Sequence, residues 1–109
     1  MKRREHLGEA EWAARTREFL AEALSAISDP AEMSAFLDDL CTPAELEALA
    51  DRWAVVPLLA HGTPYRQIHE ETGVSVTTIG RVARCWEHGA GGYRAALSRH
   101  TGGAQPATG

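Results

Sequence analysis

The sequence predicts an all-α fold of six helices built around one core. Strand signals are nearly absent, because no run alternates apolar and polar residues while being rich in valine, isoleucine, threonine and aromatic residues. Apolar residues recur instead three and four positions apart, which is the spacing of one helix face. At 109 residues, with 44% hydrophobic and 24% charged residues, the chain fits one globular domain of ordinary size.

The first predicted helix is long and amphipathic and runs from about Glu9 to Ile27. Its apolar stripe consists of Trp12, Phe19, Ala23, Leu24 and Ile27. The next helix should begin at Pro30 with Asp29 as its cap, because proline at the first helical position loses only an amide hydrogen that the helix could not use. The apolar face of this second helix is Met33, Phe36, Leu37 and Leu40.

The third predicted helix starts at Thr42-Pro43-Ala44-Glu45, which has the residues of a capping box, and runs towards Ala60. Its apolar positions include Leu46, Leu49, Trp53, Val56 and Leu59. Pro57 lies inside this stretch, and an interior proline removes a hydrogen bond and kinks the axis. We therefore expect a bend or an early end near Val56.

The distribution of charge indicates where a polyanion could bind. The formal net charge is −4, but residues 1–51 hold 12 acidic and 5 basic residues, whereas residues 52–109 hold 3 and 6. A nucleic-acid surface would lie in the second half. The polar N-terminus and the lack of any apolar window of roughly 18 to 20 residues predict a cytoplasmic protein with no membrane partner.

No metal site is expected from the cysteines and histidines. Cys41 and Cys85 are far apart in sequence and lack the paired spacing of a zinc site, so both are predicted to be buried and reduced. The five histidines are also scattered, without the close helical spacing of a metal-binding pair.

The segment from Tyr65 to Val82 has the pattern of a helix-turn-helix. Short helices are expected at Tyr65–Thr72 and from Val76 to about Glu87, with Gly73 in the turn because two steeply crossing helices leave no room for a side chain there. The inward positions would be Ile68, Val74, Ile79 and Val82. Two positions depart from the usual motif, since His69 stands where a small residue permits close packing and Thr72 where an apolar residue is common.

Ser75 should cap the second of these helices, and a last short helix is predicted from Tyr93 to about His100. The outward face of the helix after Ser75 would be formed by Val76, Thr77, Gly80, Arg81 and Arg84, with Thr78 beside them. Hydroxyl and guanidinium groups on a face of little bulk suit the major groove of DNA. We expect phosphate contacts from Arg66, Gln67, Arg81 and Arg84 and base contacts from Val76, Thr77 and Gly80, with Thr78 near them. Alternatively, Gly73 is only a C-cap between two ordinary helices of a bundle.

The chain resembles the tryptophan repressor family over about residues 30 to 98. The resemblance rests on Leu40-Cys41-Thr42-Pro43-Ala44-Glu45-Leu46-Glu47-Ala48-Leu49 with Arg52, Leu58-Leu59 and Gly62, and on the helix-turn-helix through Thr77-Thr78-Ile79-Gly80-Arg81. The segment Arg84-Cys85-Trp86-Glu87-His88-Gly89-Ala90-Gly91-Gly92-Tyr93 is similar to the Trp-repressor-like branch of that family. The resemblance implies an intertwined homodimer that represses transcription by binding successive major grooves of a palindromic operator.

The expected organisation is an N-terminal amphipathic helix in residues 1–28, a Trp-repressor-like helix-turn-helix domain in residues 29–100 and a disordered tail in residues 101–109. A second interpretation is a protein-interaction module whose DNA-binding head has degenerated. A small enzyme is disfavoured, because no carboxylate pair, nucleophile with a base or glycine-rich phosphate cradle is present. No catalytic residue is therefore predicted.

The resemblance also implies an effector site. In the family an indole-bearing corepressor lies between two arginines that match Arg52 and Arg81, near a threonine that matches Thr42. Val82 replaces a glycine that leaves room for the indole ring, and Cys85 replaces a serine that bonds the ligand. L-tryptophan or a related small aromatic or amino-acid effector would occupy this site, but a valine in a slot shaped for a flat ring favours a different effector or none.

The two arginines also have plainer interpretations, which the residues leave open. Arg52 could pair with Asp51 or Glu47 on a solvated helix face, and Arg81 could contact DNA phosphate alone.

Overall fold

The computed structural model of the chain describes residues 8–100 and forms six α-helices, with no strand in that range. They are α1 (Glu9–Ala26), α2 (Pro30–Leu40), α3 (Pro43–Ala60), α4 (Tyr65–Thr72), α5 (Val76–His88) and α6 (Gly92–His100). The predicted all-α fold is confirmed. None of these six helices has the length and apolar composition to cross a membrane. The tail predicted for residues 101–109 lies outside the described residues.

The helices belong to two compact units. The N-terminal unit ends at Thr42 and contains α1 and α2, and the C-terminal unit begins at Pro43 and contains α3 to α6. The predicted cap of α2 is confirmed, because the Asp29 Oδ2 atom accepts a hydrogen bond from the Glu32 amide at 3.0 Å.

The two helices of the N-terminal unit contribute no fully buried side chain. No residue of α1 or α2 is buried, although both helices carry the apolar positions that the sequence predicted. Phe19 leaves 76% of its surface exposed, and Leu20 and Leu40 are also exposed. In the stripe of α1, Phe19 is exposed and Trp12, Ala23, Leu24 and Ile27 are half-buried, so a single chain covers this stripe only in part.

The C-terminal unit has a continuous core. It consists of Val55, Val56, Leu58, Ile68, Val74, Ile79 and Val82, with Trp53, Leu59, Trp86, Tyr93 and Leu97 packed against it. The four inward positions predicted for the helix-turn-helix are all among these buried residues, so that prediction is confirmed. Burial of this kind stabilises by about 1.5–3 kcal/mol for each fully buried aliphatic side chain.

Of the two outcomes expected near Val56, a bend or an early end, the early end is wrong, because α3 continues through Pro57 to Ala60. Proline has no N–H to donate to the carbonyl of Trp53 four residues earlier, so one helical hydrogen bond is lost. Pro57 and its neighbours Val56 and Leu58 are all buried, and this apolar burial outweighs the lost bond.

The cysteines also differ from the prediction that both are buried. Cys41 is half-buried and Cys85 is exposed, and both are free thiols. Cys85 lies one turn after the exposed Arg81, so both residues are on the same outward side of α5.

Contacts of two tryptophan rings hold α6 against α3 and α5. The Trp53 ring lies 6.4 Å from the Tyr93 ring and 6.2 Å from the His100 ring, measured between centroids. The Arg94 guanidinium stacks 4.0 Å above the Trp86 ring, and its Nε donates to the Trp86 carbonyl at 2.9 Å.

Candidate nucleic-acid interface

The turn between α4 and α5 has the predicted glycine geometry. Gly73 has φ +78° and ψ 0°, a left-handed conformation that residues with a side chain rarely adopt, and its N–H donates to the His69 carbonyl at 2.8 Å. Ser75 then caps α5, because its Oγ accepts from the Thr78 amide at 3.1 Å. Gly73 in the turn and the Ser75 cap are therefore confirmed. The predicted reason for the glycine is wrong, because a Cβ at Gly73 would meet no atom within 4 Å, and the positive φ alone favours glycine there.

Side chains of α4 hold the peptide groups of Val74 between these two caps. The Val74 N–H donates to Thr72 Oγ1 at 3.1 Å, and this hydroxyl donates to the Ile68 carbonyl at 2.7 Å. The Val74 carbonyl lies 2.7 Å from His69 Nδ1. Because a carbonyl oxygen only accepts, Nδ1 must carry the hydrogen. The two residues that depart from the usual motif are therefore the ones that bind the turn.

The outer face of α5 presents the predicted mixture of small, polar and basic side chains. Val76 is 53% exposed, Thr77, Arg81 and Arg84 are exposed, and Thr78 and Gly80 are half-buried. The inner face of the same helix places Ile79 and Val82 in the core. A helix that is fixed on one side by buried side chains presents the other side in a defined orientation.

The arginines of this region have no partner among the residues that the structure describes. Arg66, Arg81 and Arg84 are exposed and make no hydrogen bond or ion pair in residues 8–100. Each guanidinium keeps all five of its donors available, and a charged donor bonds strongly to phosphate oxygen. Gln67 differs, because its Nε2 already donates to Glu71 Oε2 at 2.8 Å.

The residues predicted to bind an effector occupy different environments. Arg52 is half-buried and forms no ion pair with any residue in the range 8–100, so the pairing with Asp51 or Glu47 is not present. Arg81 and Cys85 are exposed on one side of α5.

Val82 points to the other side of α5 and is 1% exposed within the core. Its side chain thus fills space inside the C-terminal unit. Thr42, the remaining predicted residue, is exposed at the end of the N-terminal unit.

Arg94 was not singled out from the sequence. It shares its residue type with the candidate phosphate ligands, but its Nε is bound to the Trp86 carbonyl and its plane is stacked on the Trp86 ring. The sequence gives no sign of this contact, because it depends on the path of the loop before α6. Arg94 fixes the end of α5 to the start of α6.

Comparisons with known proteins agree with this architecture. The sequence matches the family model described as Trp repressor protein over residues 15–101. It is 41% identical over 80 residues to the uncharacterized protein YerC of Bacillus subtilis (strain 168), an alignment that covers 73% of this chain and 77% of that protein.

Two crystal structures are similar, each with a TM-score of 0.74. One is a TrpR like protein from Eubacterium eligens ATCC 27750, which is 33% identical and is matched over 80% of this chain and 90% of that chain. The other is described as a candidate Trp repressor from Staphylococcus aureus, is 32% identical and is matched over 90% of this chain and 93% of that chain.

Proposed function

Because the chain belongs to the Trp repressor family, whose members are DNA-binding transcription regulators and not enzymes, we propose that it represses transcription by occupying a palindromic operator as a homodimer. The outer face of α5 carries this proposal. Arg81 and Arg84 extend from it beside the exposed Thr77 and have no partner among residues 8–100, while the core holds the opposite face of the same helix. This arrangement suits insertion into the major groove, with guanidinium groups near phosphate oxygens and small side chains near base edges.

The N-terminal unit supports the dimeric part of the proposal. None of its apolar side chains in α1 and α2 is buried, and Phe19, Leu20 and Leu40 are exposed. A second copy would cover them, and a two-fold pair of heads would match the two halves of a palindrome. Half-sites separated by about one helical turn of DNA follow from that symmetry.

An effector would bind near Arg52 and Arg81. Neither guanidinium group has a partner in the described part of the chain, so each could stack on a flat ring or pair with a carboxylate. Val82 occupies core space at the position where tryptophan-binding members have glycine. We therefore propose a small aromatic or amino-acid effector other than free L-tryptophan, or none.

Selection of DNA fragments by the full-length protein tests the proposed function. Genomic fragments retained by the wild type should contain a shared palindrome, and the affinity for it should fall steeply with salt because phosphate contacts release counterions. A duplex of the same composition with scrambled half-sites is the control. A folded wild-type protein that retains no palindrome would contradict the proposal and favour the protein-interaction module.

A further inference from the structure

The start of α5 is attached to α4 by hydrogen bonds from two side chains. Gly73 ends α4 and Ser75 caps α5, so the N–H and C=O of Val74 belong to neither helix. Thr72 accepts from the N–H and His69 bonds the C=O. The Val74 side chain is buried in the core, so its N–H and C=O lie close to apolar atoms. Apolar atoms cannot form the hydrogen bonds that water would otherwise supply.

We propose that His69 and Thr72 are positioning residues that fix the start of α5 relative to α4, and so set how the outer face of α5 meets DNA. This inference rests on the proposed DNA binding. A helix-turn-helix with a small and an apolar residue at these two positions would hold its turn by packing. Here the same two positions supply a donor and a hydroxyl, and together they bind both polar groups of one residue.

Because His69 and Thr72 lie outside the core, substitutions there can change the orientation of α5 without removing core packing. His69 is exposed and Thr72 is half-buried, so replacing either one opens no cavity among the core residues. The loss of the hydrogen bonds should instead leave α5 free to adopt several orientations. Apparent affinity for DNA then falls in proportion to the fraction of molecules in the competent orientation.

Geometry provides a matched pair of variants at each position. In His69→Asn the amide nitrogen is bonded to Cγ, as Nδ1 is in histidine, so the donor to the Val74 carbonyl is kept. His69→Leu has no donor. Thr72→Ser keeps the hydroxyl that accepts from the Val74 N–H and donates to the Ile68 carbonyl, whereas Thr72→Val keeps the shape without the hydroxyl.

The first measurement is the affinity of each variant for a duplex selected with the wild type, at several salt concentrations. His69→Leu and Thr72→Val should each weaken binding by about fivefold to tenfold, while His69→Asn and Thr72→Ser should stay within about twofold of the wild type. The slope of log affinity against log salt should be unchanged in all four variants, because no phosphate contact is removed. Equal affinities within each pair, or a reduced slope in both His69 variants, would overturn the inference.

The second measurement needs no DNA and distinguishes failure of this inference from failure of the proposed function. Hydrogen exchange of the Val74 amide, followed by NMR, should be faster in Thr72→Val than in Thr72→Ser, with unfolding midpoints alike. Equal exchange in the two variants would show that the hydroxyl does not hold the turn. The exchange rates can differ as expected even if the wild type selects no duplex. In that case the hydrogen bonds hold the turn, but the proposed function is wrong, and so is the role of His69 and Thr72 in DNA binding.

Discussion

The N-terminal and C-terminal units have similar helices but differ in what those helices bury. Both contain helices begun by side-chain caps, at Asp29 in one and at Ser75 in the other. The C-terminal unit buries a continuous aliphatic core, whereas α1 and α2 bury no residue. Local signals are thus sufficient to start a helix in either unit. A core requires side chains from several helices, and among the helices of residues 8–100 only α3, α4 and α5 of the C-terminal unit contribute buried side chains.

Charge follows the same division. Residues 8–42 contain 8 acidic and 2 basic residues, whereas residues 43–100 contain 6 of each. The unpartnered Arg66, Arg81 and Arg84 belong to the unit that has the core. The unit that folds around its own core therefore carries the candidate DNA-binding face, and the other unit presents an acidic surface with an apolar stripe. Four substitutions test this difference.

The largest effect is expected from Phe19→Asp, which places a carboxylate on the apolar stripe of α1. The wild type should sediment at about twice 11.8 kDa at low micromolar concentration. The dimer dissociation constant of the variant should be more than about 100-fold higher than that of the wild type. The reason is that a symmetric dimer would bury two carboxylates, one from each copy. Ala14→Asp adds the same charge on the polar side of α1 and is the control. A well-folded wild-type monomer under these conditions would rule out the intertwined dimer.

Ile79→Ala tests whether the buried core stabilises the C-terminal unit. Ile79 is fully buried, so the substitution should lower the free energy of unfolding by about 2–5 kcal/mol through lost burial and the cavity left behind. Urea titration at fixed protein concentration measures this change. Val76→Ala on the exposed side of the same helix should change stability by only about 0.5 kcal/mol. Similar values for the two variants would mean that the core does not determine the stability of this unit.

Val82→Gly asks whether the core of the C-terminal unit excludes an indole ring. Calorimetric titration of the wild type with free L-tryptophan should show weak binding or none. The variant should bind about tenfold to a hundredfold more tightly, since overpacking costs about 1–3 kcal/mol. It should also be less stable, because glycine weakens a helix and a buried side chain is lost.

The exposed Val76 provides the control, and Val76→Gly should leave tryptophan binding unchanged. Micromolar binding of tryptophan by the wild type, with tighter operator binding in its presence, would show that α5 moves enough to admit the ring and that the steric argument is wrong.

The smallest effect is expected from Arg84→Ala on the outer face of α5. If Arg84 contacts phosphate, affinity should fall for all duplexes alike, and the slope of log affinity against log salt should shrink by about one unit for each half-site. Arg99→Ala removes the same charge from α6 and is the control. A loss limited to particular operator bases would make Arg84 a base-contacting residue, and unchanged binding would remove it from the interface.

Local chemistry explains why most of the fold could be predicted from the sequence. The Asp29 and Ser75 caps and the left-handed Gly73 each depend on residues within a few positions, so the sequence contains the whole signal. Helical spacing likewise identified Ile79 and Val82 as inward positions. The same spacing places Cys85 beside the outward Arg81, so its exposure could have been inferred.

Features that depend on packing or on the path of a turn could not be predicted in this way. Helix α3 passes through Pro57 because neighbouring residues are buried, and burial depends on helices distant in sequence. The bond from His69 to the Val74 carbonyl depends on the direction of the turn after Gly73. The stacking of Arg94 on Trp86 depends on the loop that joins α5 to α6.

The Trp53 ring contacts α6 at two positions, Tyr93 and His100. Tyr93 and His100 lie at opposite ends of that helix, about 10 Å apart along its axis, yet both rings meet the same indole. A single point of attachment would let the helix pivot, but two points resist rotation as well as sliding. Through Arg94, which joins the start of α6 to Trp86, this rigidity extends to the end of α5. The C-terminal end of α5, far from the turn at Gly73, is therefore held in place by α6.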